Sequence, residues 1–233
     1  MTAKKGKLYL NVVDWPGRQL RIYGLKNRVK KATLLADPGK LVEVSQTRVG
    51  KTGMDALDLG LPGRAPGKHV SVIRLDVVGT PEMETCLTQQ GDGRILLAAF
   101  HADIRSTRAV CGRFGAVEGW TSKSTRVSWD VQVAEPGMYD VMVVTQTDQA
   151  GRWETGHRVR VGVGRQFVRG LLKKGETKTN PRADSFRLDV LSPVGSIEVK
   201  RPGLQKVTVR AEKMGKSKGL GIRLRAIHLI PRD

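Results

Sequence analysis

The chain has 233 residues, 41 Lys+Arg against 22 Asp+Glu, and a formal net charge of +19. That length suits one large domain or two ordinary ones, with ample chain to bury a core. No run approaches about 18 consecutive apolar residues, which excludes a membrane-spanning helix, and the lysine-bearing N-terminus lacks the apolar stretch of a signal peptide.

The excess charge suits nucleic acid, an anionic polysaccharide or an acidic membrane surface. It is spread rather than gathered. Residues 1–84 hold 15 basic and 8 acidic side chains and residues 85–233 hold 26 and 14, so neither half owns the excess. Only Lys200 to Arg225 is one-sided, with nine basic residues against Glu212. Composition leaves open both a solvated basic surface and a binding face. Two cysteines, Cys86 and Cys111, are too few for a disulfide framework. A bridge between them stays open in an oxidising compartment, and two free thiols are the expectation because their spacing pairs with nothing.

In chain order, Lys7 to Val13 reads as a strand that stops at Asp14-Trp15-Pro16-Gly17, where proline and glycine end the ladder. Leu20 to Tyr23 is a second strand, followed by the polar turn Gly24-Leu25-Lys26-Asn27. Ala32 to Ala36 is a third apolar run, closed by a turn at Asp37-Pro38-Gly39-Lys40. Leu41 to Ser45 and Ala56 to Leu61 alternate, Pro62 to Gly67 is a loop, and Val70 to Val78 is the longest strand. Six short strands with no helical period predict a small antiparallel sandwich.

Leu8-Tyr9-Leu10-Asn11-Val12-Val13-Asp14-Trp15-Pro16 resembles the LYLHVFDWP signature that opens the C-terminal β-sandwich of family 29 α-L-fucosidases. The likeness continues through Gly24-Leu25-Lys26-Asn27, Lys31-Ala32, Leu34-Leu35-Ala36-Asp37, Leu59-Gly60-Leu61-Pro62 and Ser71-Val72-Ile73-Arg74-Leu75. It covers residues 3–84. In that family the chemistry sits in an upstream (β/α)₈ barrel, where a retaining glycosidase holds two carboxylates about 5–5.5 Å apart. No residue here matches the nucleophile or the acid/base, so the resemblance implies a non-catalytic region whose first sandwich packs on a catalytic barrel. It also implies an extracellular or periplasmic parent.

Residues 85–93, within a polar stretch ending in Gly91-Asp92-Gly93, read as a linker, and 94–233 as a second domain. Arg94 to Phe100 is apolar, and Val110 to Val117 is broken by two glycines. Val127, Trp129, Val131 and Val133 then alternate with polar residues, and Tyr139, Val141 and Val143 resume the alternation after Glu135-Pro136-Gly137-Met138. This pattern predicts an antiparallel hairpin on a type II turn with glycine at a positive angle. Further strands are expected at His157–Val163, Gln166–Leu172, Phe186–Val190, Ser196–Lys200, Lys206–Ala211 and Gly221–Ile230, with an exposed loop at Gly175–Arg182. The whole is all-β: two antiparallel β-sandwiches, the second larger and jelly-roll-like. This half is similar, more loosely, to sandwich modules appended to bacterial fucosidases and to carbohydrate-binding modules. The matching residues are Trp120-Thr121, Val127-Ser128-Trp129, Pro136 to Val141 and Arg225 to Pro231.

Sugar-binding modules use aromatic faces, because the C–H face of a pyranose packs on a ring while polar neighbours take its hydroxyls. Trp129 belongs to the inward set. Trp120 and Trp153 lie in polar loops on either side of the expected hairpin, each as a platform or as a lid over the sandwich end. Arg152, Glu154 and Asp148 stand beside Trp153 as hydrogen-bonding partners. The resemblance to such modules also implies a calcium position near His101-Ala102-Asp103. Asp103 is the candidate ligand, and histidine in place of a first acid suits that oxygen-seeking ion poorly. No other cofactor is expected. Gly162-Val163-Gly164 and Gly215-Lys216-Ser217 lack the remaining glycines of nucleotide loops and read as turns.

Two functions follow. The first is an accessory region of a fucosidase-like glycoside hydrolase that binds carbohydrate, such as a fucosylated or sulfated glycan. The second is a basic sandwich that binds anionic polymers, sulfated glycan or nucleic acid. Nucleic acid is the weaker partner, because no recognition helix or interleaved aromatic pattern accompanies the charge.

Overall fold

The computed structural model describes residues 1–49, 54–179, 187–215 and 219–232. The fold is all-β: two antiparallel sandwiches, the second larger and jelly-roll-like. Among the described residues the only helical element is one 3-10 turn, Ala99–His101. The chain divides into two compact units, Met1–Asp92 and Gly93–Asp233.

The first unit contains β1 (Thr2–Lys4), β2 (Lys7–Val12), β3 (Gln19–Tyr23), β4 (Val29–Leu34), β5 (Asp37–Val49), β6 (Met54–Gly60) and β7 (Ser71–Val77), and ends with the two-residue β8 (Leu87–Thr88). The first seven lie in the order β1-β2-β7-β4-β5-β6-β3. Strand β5 pairs β4 through Asp37, Leu41 and Val42, then β6 from Glu43 to Val49, so one long strand carries the sheet around a corner. Leu8, Leu10, Leu57, Leu59, Ile73 and Leu75 meet inside, and in β2 and β7 they alternate with less buried neighbours. Trp15 packs against this core and its indole N–H donates to the Pro62 carbonyl at 2.9 Å. The turn expected at Asp37–Lys40 sits earlier, at Leu35-Ala36, and Asp37 already pairs with Leu34. Pro38 is tolerated there because it stands at the beginning of a strand, where the missing N–H costs little.

The second unit has β9 (Ile95–Ala98), β10 (Asp103–Arg105), β11 (Val110–Cys111), β12 (Val117–Trp120), β13 (Arg126–Val133), β14 (Gly137–Gln146), β15 (Arg158–Val163), β16 (Gln166–Leu171), β17 (Thr177–Thr179), β18 (Leu188–Val199), β19 (Gly203–Lys213) and β20 (Ile222–Pro231). One sheet runs β10-β13-β19-β15-β16, and the other β11-β12-β20-β14-β18-β17 with β9 also on β20. The expected hairpin is therefore not formed. Strand β13 pairs β10 and β19, whereas β14 pairs β18 and β20 in the opposite sheet. The segment Ala134–Pro136 crosses between sheets, and Gly137 begins β14 without the positive φ of a type II turn. Alternation reports which face of a strand is dry; it is silent on which strand lies alongside.

Two strands expected separately, at Phe186–Val190 and Ser196–Lys200, are parts of the single β18, bent where its register with β14 shifts and Gly195 takes φ +120°. Phe186, Asn180–Arg182 and the Lys216-Ser217 pair lie outside the described residues. Part of the loop expected at Gly175–Arg182 forms β17, which pairs with β18. The core holds Val127, Trp129, Val131 and Val133 from one sheet and Tyr139, Val141, Val143, Leu224, Ile227 and Leu229 from the other.

Tyr139 is 2% exposed and its hydroxyl donates to the Glu135 carbonyl at 2.6 Å, which ties β14 to the crossing segment. Tyr139→Phe keeps the ring and strands that carbonyl, so we expect a loss of about 1 kcal/mol in the urea-unfolding free energy. Tyr139→Ala removes the ring as well and should lose about 3–5 kcal/mol. An unchanged midpoint in Tyr139→Phe would show that the tie is dispensable.

Two histidines of this unit are held neutral. Burial lowers the pKa of His157 below its ordinary 6.5, outweighing the opposite influence of Glu154. Burial also lowers that of His228, and Arg94 and Lys178 add to the effect. The unfolded chain therefore binds more protons as pH falls. Their stabilising contribution is complete above the unfolded value of about 6.5 and is lost as pH drops through it toward the folded values. The unfolding midpoint of the wild type should fall between about pH 7 and 5. In His157→Gln/His228→Gln it should hold steady across that window, until the carboxylates titrate. Parallel pH profiles for the two proteins would exclude the histidines as the cause.

Candidate functional site

The four residues expected to bind sugar are separated by their environments. Trp120 ends β12 opposite Ile222, with its ring fully buried and its indole N–H donating to the Ser122 carbonyl at 3.1 Å. A ring enclosed on both faces offers nothing to a sugar, so Trp120 is a core residue rather than a platform. The polar neighbours that suggested a loop surround a side chain that the strand turns inward. Trp153 is half-buried, and its N–H donates to the Thr145 hydroxyl at 2.8 Å.

Arg152 is 70% exposed and ion-paired to Asp148 at 2.7 Å. The Arg152 backbone N–H also reaches Asp148, which closes the loop between β14 and β15. Burial raises the pKa of Asp148, but the hydrogen bonds and charge of Arg152 together hold its carboxyl below the usual range. Glu154 is only 8% exposed and accepts the backbone N–H groups of Leu220 at 3.1 Å and Gly221 at 2.7 Å. It is a clamp on the approach to β20. Arg152 and Trp153 are thus the two members of the set that reach the surface.

Asp103 is exposed on β10 and stands 3.3 Å from Arg105, a neighbour that competes with a cation for its carboxylate. Among the described residues no group of three or more His, Cys, Asp or Glu side chains is arranged to hold a metal ion. His101 lies against the Phe100 ring, centroids 4.0 Å apart. Cys86 and Cys111 are free thiols. At Cys111, burial raises the pKa and Glu118 adds to this against Arg225, so the sulfur stays protonated and is a poor nucleophile.

A different cluster has the form of a binding site. Strand β9 lies on β20 through the pairs Ala98–Ala226 and Leu97–Ile227, and the 3-10 turn that follows puts Phe100 at the surface, 46% exposed. Between β11 and β12 the chain turns tightly, with Gly115 N–H donating to the Gly112 carbonyl at 2.8 Å. Gly115 has φ +73°, a backbone angle that favours glycine, and a Cβ there would lie 2.9 Å from the movable end of Arg225. This turn carries Arg113 and Phe114. The guanidinium of Arg187 covers the Phe114 ring at 3.8 Å and that of Arg113 lies 4.7 Å from it. Arg225 donates to the Gly115 carbonyl at 2.9 Å.

Phe100, Gly112, Arg113, Phe114, Gly115 and Arg225 enclose a hollow of about 250 Å³. That is below the roughly 300–1,000 Å³ of pockets for larger ligands and suits a single sugar ring. Behind it, Glu118 accepts from Arg223 at 2.6 Å and lies 3.8 Å from Arg187. Neither Phe100 nor Phe114 stands out in the sequence, because Phe100 ends an apolar run and Phe114 lies in a short segment broken by Gly112 and Gly115. Their type, in a chain with only 5% aromatic residues, was the available signal.

No family model matches the sequence, and no curated protein matches it. In three dimensions the chain is similar to the α-L-fucosidase of Vibrio sp. strain EJY3, with 21% identity and a TM-score of 0.68, covering 97% of this chain and 38% of that one. More remote likenesses are to the mosquito-larvicidal Cry4Aa toxin of Bacillus thuringiensis (10% identity, TM-score 0.44, 93% of this chain and 42% of that one). Another is to a GH26-CBM35 β-(1,4)-mannanase of Podospora anserina (15%, 0.36, 61% and 28%). Those two are too slight to argue from. The chain shares its fold, over nearly its whole length, with a part of an α-L-fucosidase chain amounting to 38% of that protein.

Proposed function

We propose that this chain is the non-catalytic accessory region of an α-L-fucosidase-like glycoside hydrolase of family 29, from an extracellular or periplasmic parent. Residues 1–84 are the sandwich that packs on a catalytic barrel, 85–93 the linker, and 94–233 a carbohydrate-binding module. The observation that carries this reading is the alignment of 97% of the chain with 38% of a fucosidase chain. The ordered matches from Leu8 to Leu75 agree with it. Among the described residues no carboxylate lines the hollow, and Glu118 behind it is engaged by Arg223. That favours binding over hydrolysis, which needs a carboxylate on each side of the glycosidic bond.

Within the module, the rings of Phe100 and Phe114 take the apolar face of one sugar, and Arg113 and Arg225 supply donors for its hydroxyls. A 6-deoxy sugar suits such a surface because its methyl group adds apolar contact.

The purified chain should bind a neutral fucosylated oligosaccharide in calorimetry and leave nitrophenyl fucoside unhydrolysed. Phe100→Ala/Phe114→Ala should weaken that binding about tenfold or more, since each ring contributes on the order of 1 kcal/mol. Turnover by the isolated chain, or undiminished affinity in the double variant, would refute the assignment.

A further inference from the structure

The outer face of the β10-β13-β19-β15-β16 sheet carries a row of arginines, one per strand. The register pairs Arg105 with Arg126, Arg126 with Arg210, Arg210 with Arg160, and Arg160 with Arg169. The next row, on the inner face, is Ile104, Val127, Val209, Val161 and Val168, paired through the same strands. With strands about 4.8 Å apart, the arginine row spans about 19 Å.

Like charges directly opposite on neighbouring strands oppose sheet formation, and here four such pairs follow one another. Among the described residues carboxylates meet the row only at its ends: Asp103 lies 3.3 Å from Arg105, and Glu212 lies 2.7 Å from Arg169. Arg126 donates to the backbone carbonyls of Lys123, Ser124 and Thr125. Arg160 and Arg169 both lie over the Phe167 ring, at 3.7 and 4.4 Å. Two carboxylates against five guanidiniums leave an excess of three positive charges along the row.

We propose that this row binds an extended anionic glycan lying across the strands. The proposal rests on the accessory-region reading for the choice of a glycan among polyanions. Guanidinium forks match sulfate esters and carboxylates bidentately. The strand spacing is close to the length of one pyranose unit, so successive anionic sugars meet successive arginines. Single-stranded nucleic acid would need a series of aromatic platforms for successive bases, and Phe167 is the one ring identified along this row among the described residues. Duplex DNA is read by a helix or ribbon that enters a groove, whereas this row runs across five strands of a sheet.

The test titrates the full chain with dextran sulfate, a polyuronate, neutral dextran and single-stranded DNA over a range of salt. Dextran sulfate or the polyuronate should bind, and the tighter of the two identifies the anionic group; neutral dextran should not compete. Arg126→Gln/Arg160→Gln/Arg210→Gln should weaken binding at least tenfold and lower the salt slope by about one per arginine removed. Arg210→Gln alone should lower it by about one, which guards against a folding defect in the triple variant.

A control that removes equal charge elsewhere, Lys4→Gln/Lys5→Gln/Lys30→Gln, should bind as the wild type. Equal loss in that control, an unchanged triple variant, or tighter binding of DNA than of either glycan would overturn the proposal. Binding of the neutral fucosylated oligosaccharide, measured alongside, reads the Phe100–Phe114 hollow separately. Failure of either site is therefore distinguishable from failure of the other.

Discussion

The second unit depends on two sheets sharing one dry layer. Strands β13 and β14 each send every second side chain into it, Trp129 and its valines from one side and Tyr139, Val141 and Val143 from the other. Stacked sheets lie about 10 Å apart, which leaves room for one interdigitated set of side chains and none for a misplaced charge. A one-residue slip of β13 would carry Arg126, Ser128 and Asp130 into that layer. The buried indole of Trp129 adds a fixed point, because its N–H donates to the Ala98 carbonyl at 2.8 Å. Register is therefore set from inside, and whatever stands on the outer face is aligned as a consequence.

The arginine row is that consequence. Ile104, Val127, Val209, Val161 and Val168 must meet in one inner row, so the residues one step along each strand must meet in one outer row. Packing explains why those five positions are neighbours. It does not explain why all five are arginine, since an outer position accepts any polar residue and mixed charges would pair favourably. Two rows further along the same face, past Ser128 and Thr208, the usual arrangement occurs, with Asp130 paired to Lys206 at 2.8 Å. The contrast between these rows is what separates a binding face from a solvated one.

Period-two alternation made most strands legible, and also which residues of each are buried. Lateral order was not legible. The stretch Arg126–Val144 reads as a hairpin because its two halves alternate in the same way. Strands that face each other across a core need that pattern as much as strands lying side by side. The choice between platform and lid at Trp120 was not legible for a related reason: Gly119, Thr121, Ser122 and Lys123 suggest a loop, yet one inward position at the end of β12 is enough to bury the ring. Arg105, Arg126, Arg160, Arg169 and Arg210 are scattered over more than a hundred positions of sequence. Only strand order makes them a set, so a count of charges could find the excess but not the row.

The two faces hold their cations differently, and the difference bears on what each can do. Around the hollow, Glu118 takes Arg223 directly and lies near Arg187, whose guanidinium also covers Phe114. Those two arginines are oriented by partners within the protein and their charge is partly neutralised, and Arg225, which lines the hollow, is likewise held by its bond to the Gly115 carbonyl. Nε of Arg223 and of Arg225 is buried, so the hollow meets Arg225 through the end of its guanidinium. On the opposite sheet the middle of the row has no such carboxylate among the described residues. Its field is screened by salt rather than by the fold, and an incoming polyanion gains by releasing those counterions. Neutral-sugar affinity at the hollow should therefore be insensitive to salt, while affinity at the row should fall steeply with it, because only the second exchanges mobile ions for ligand charge.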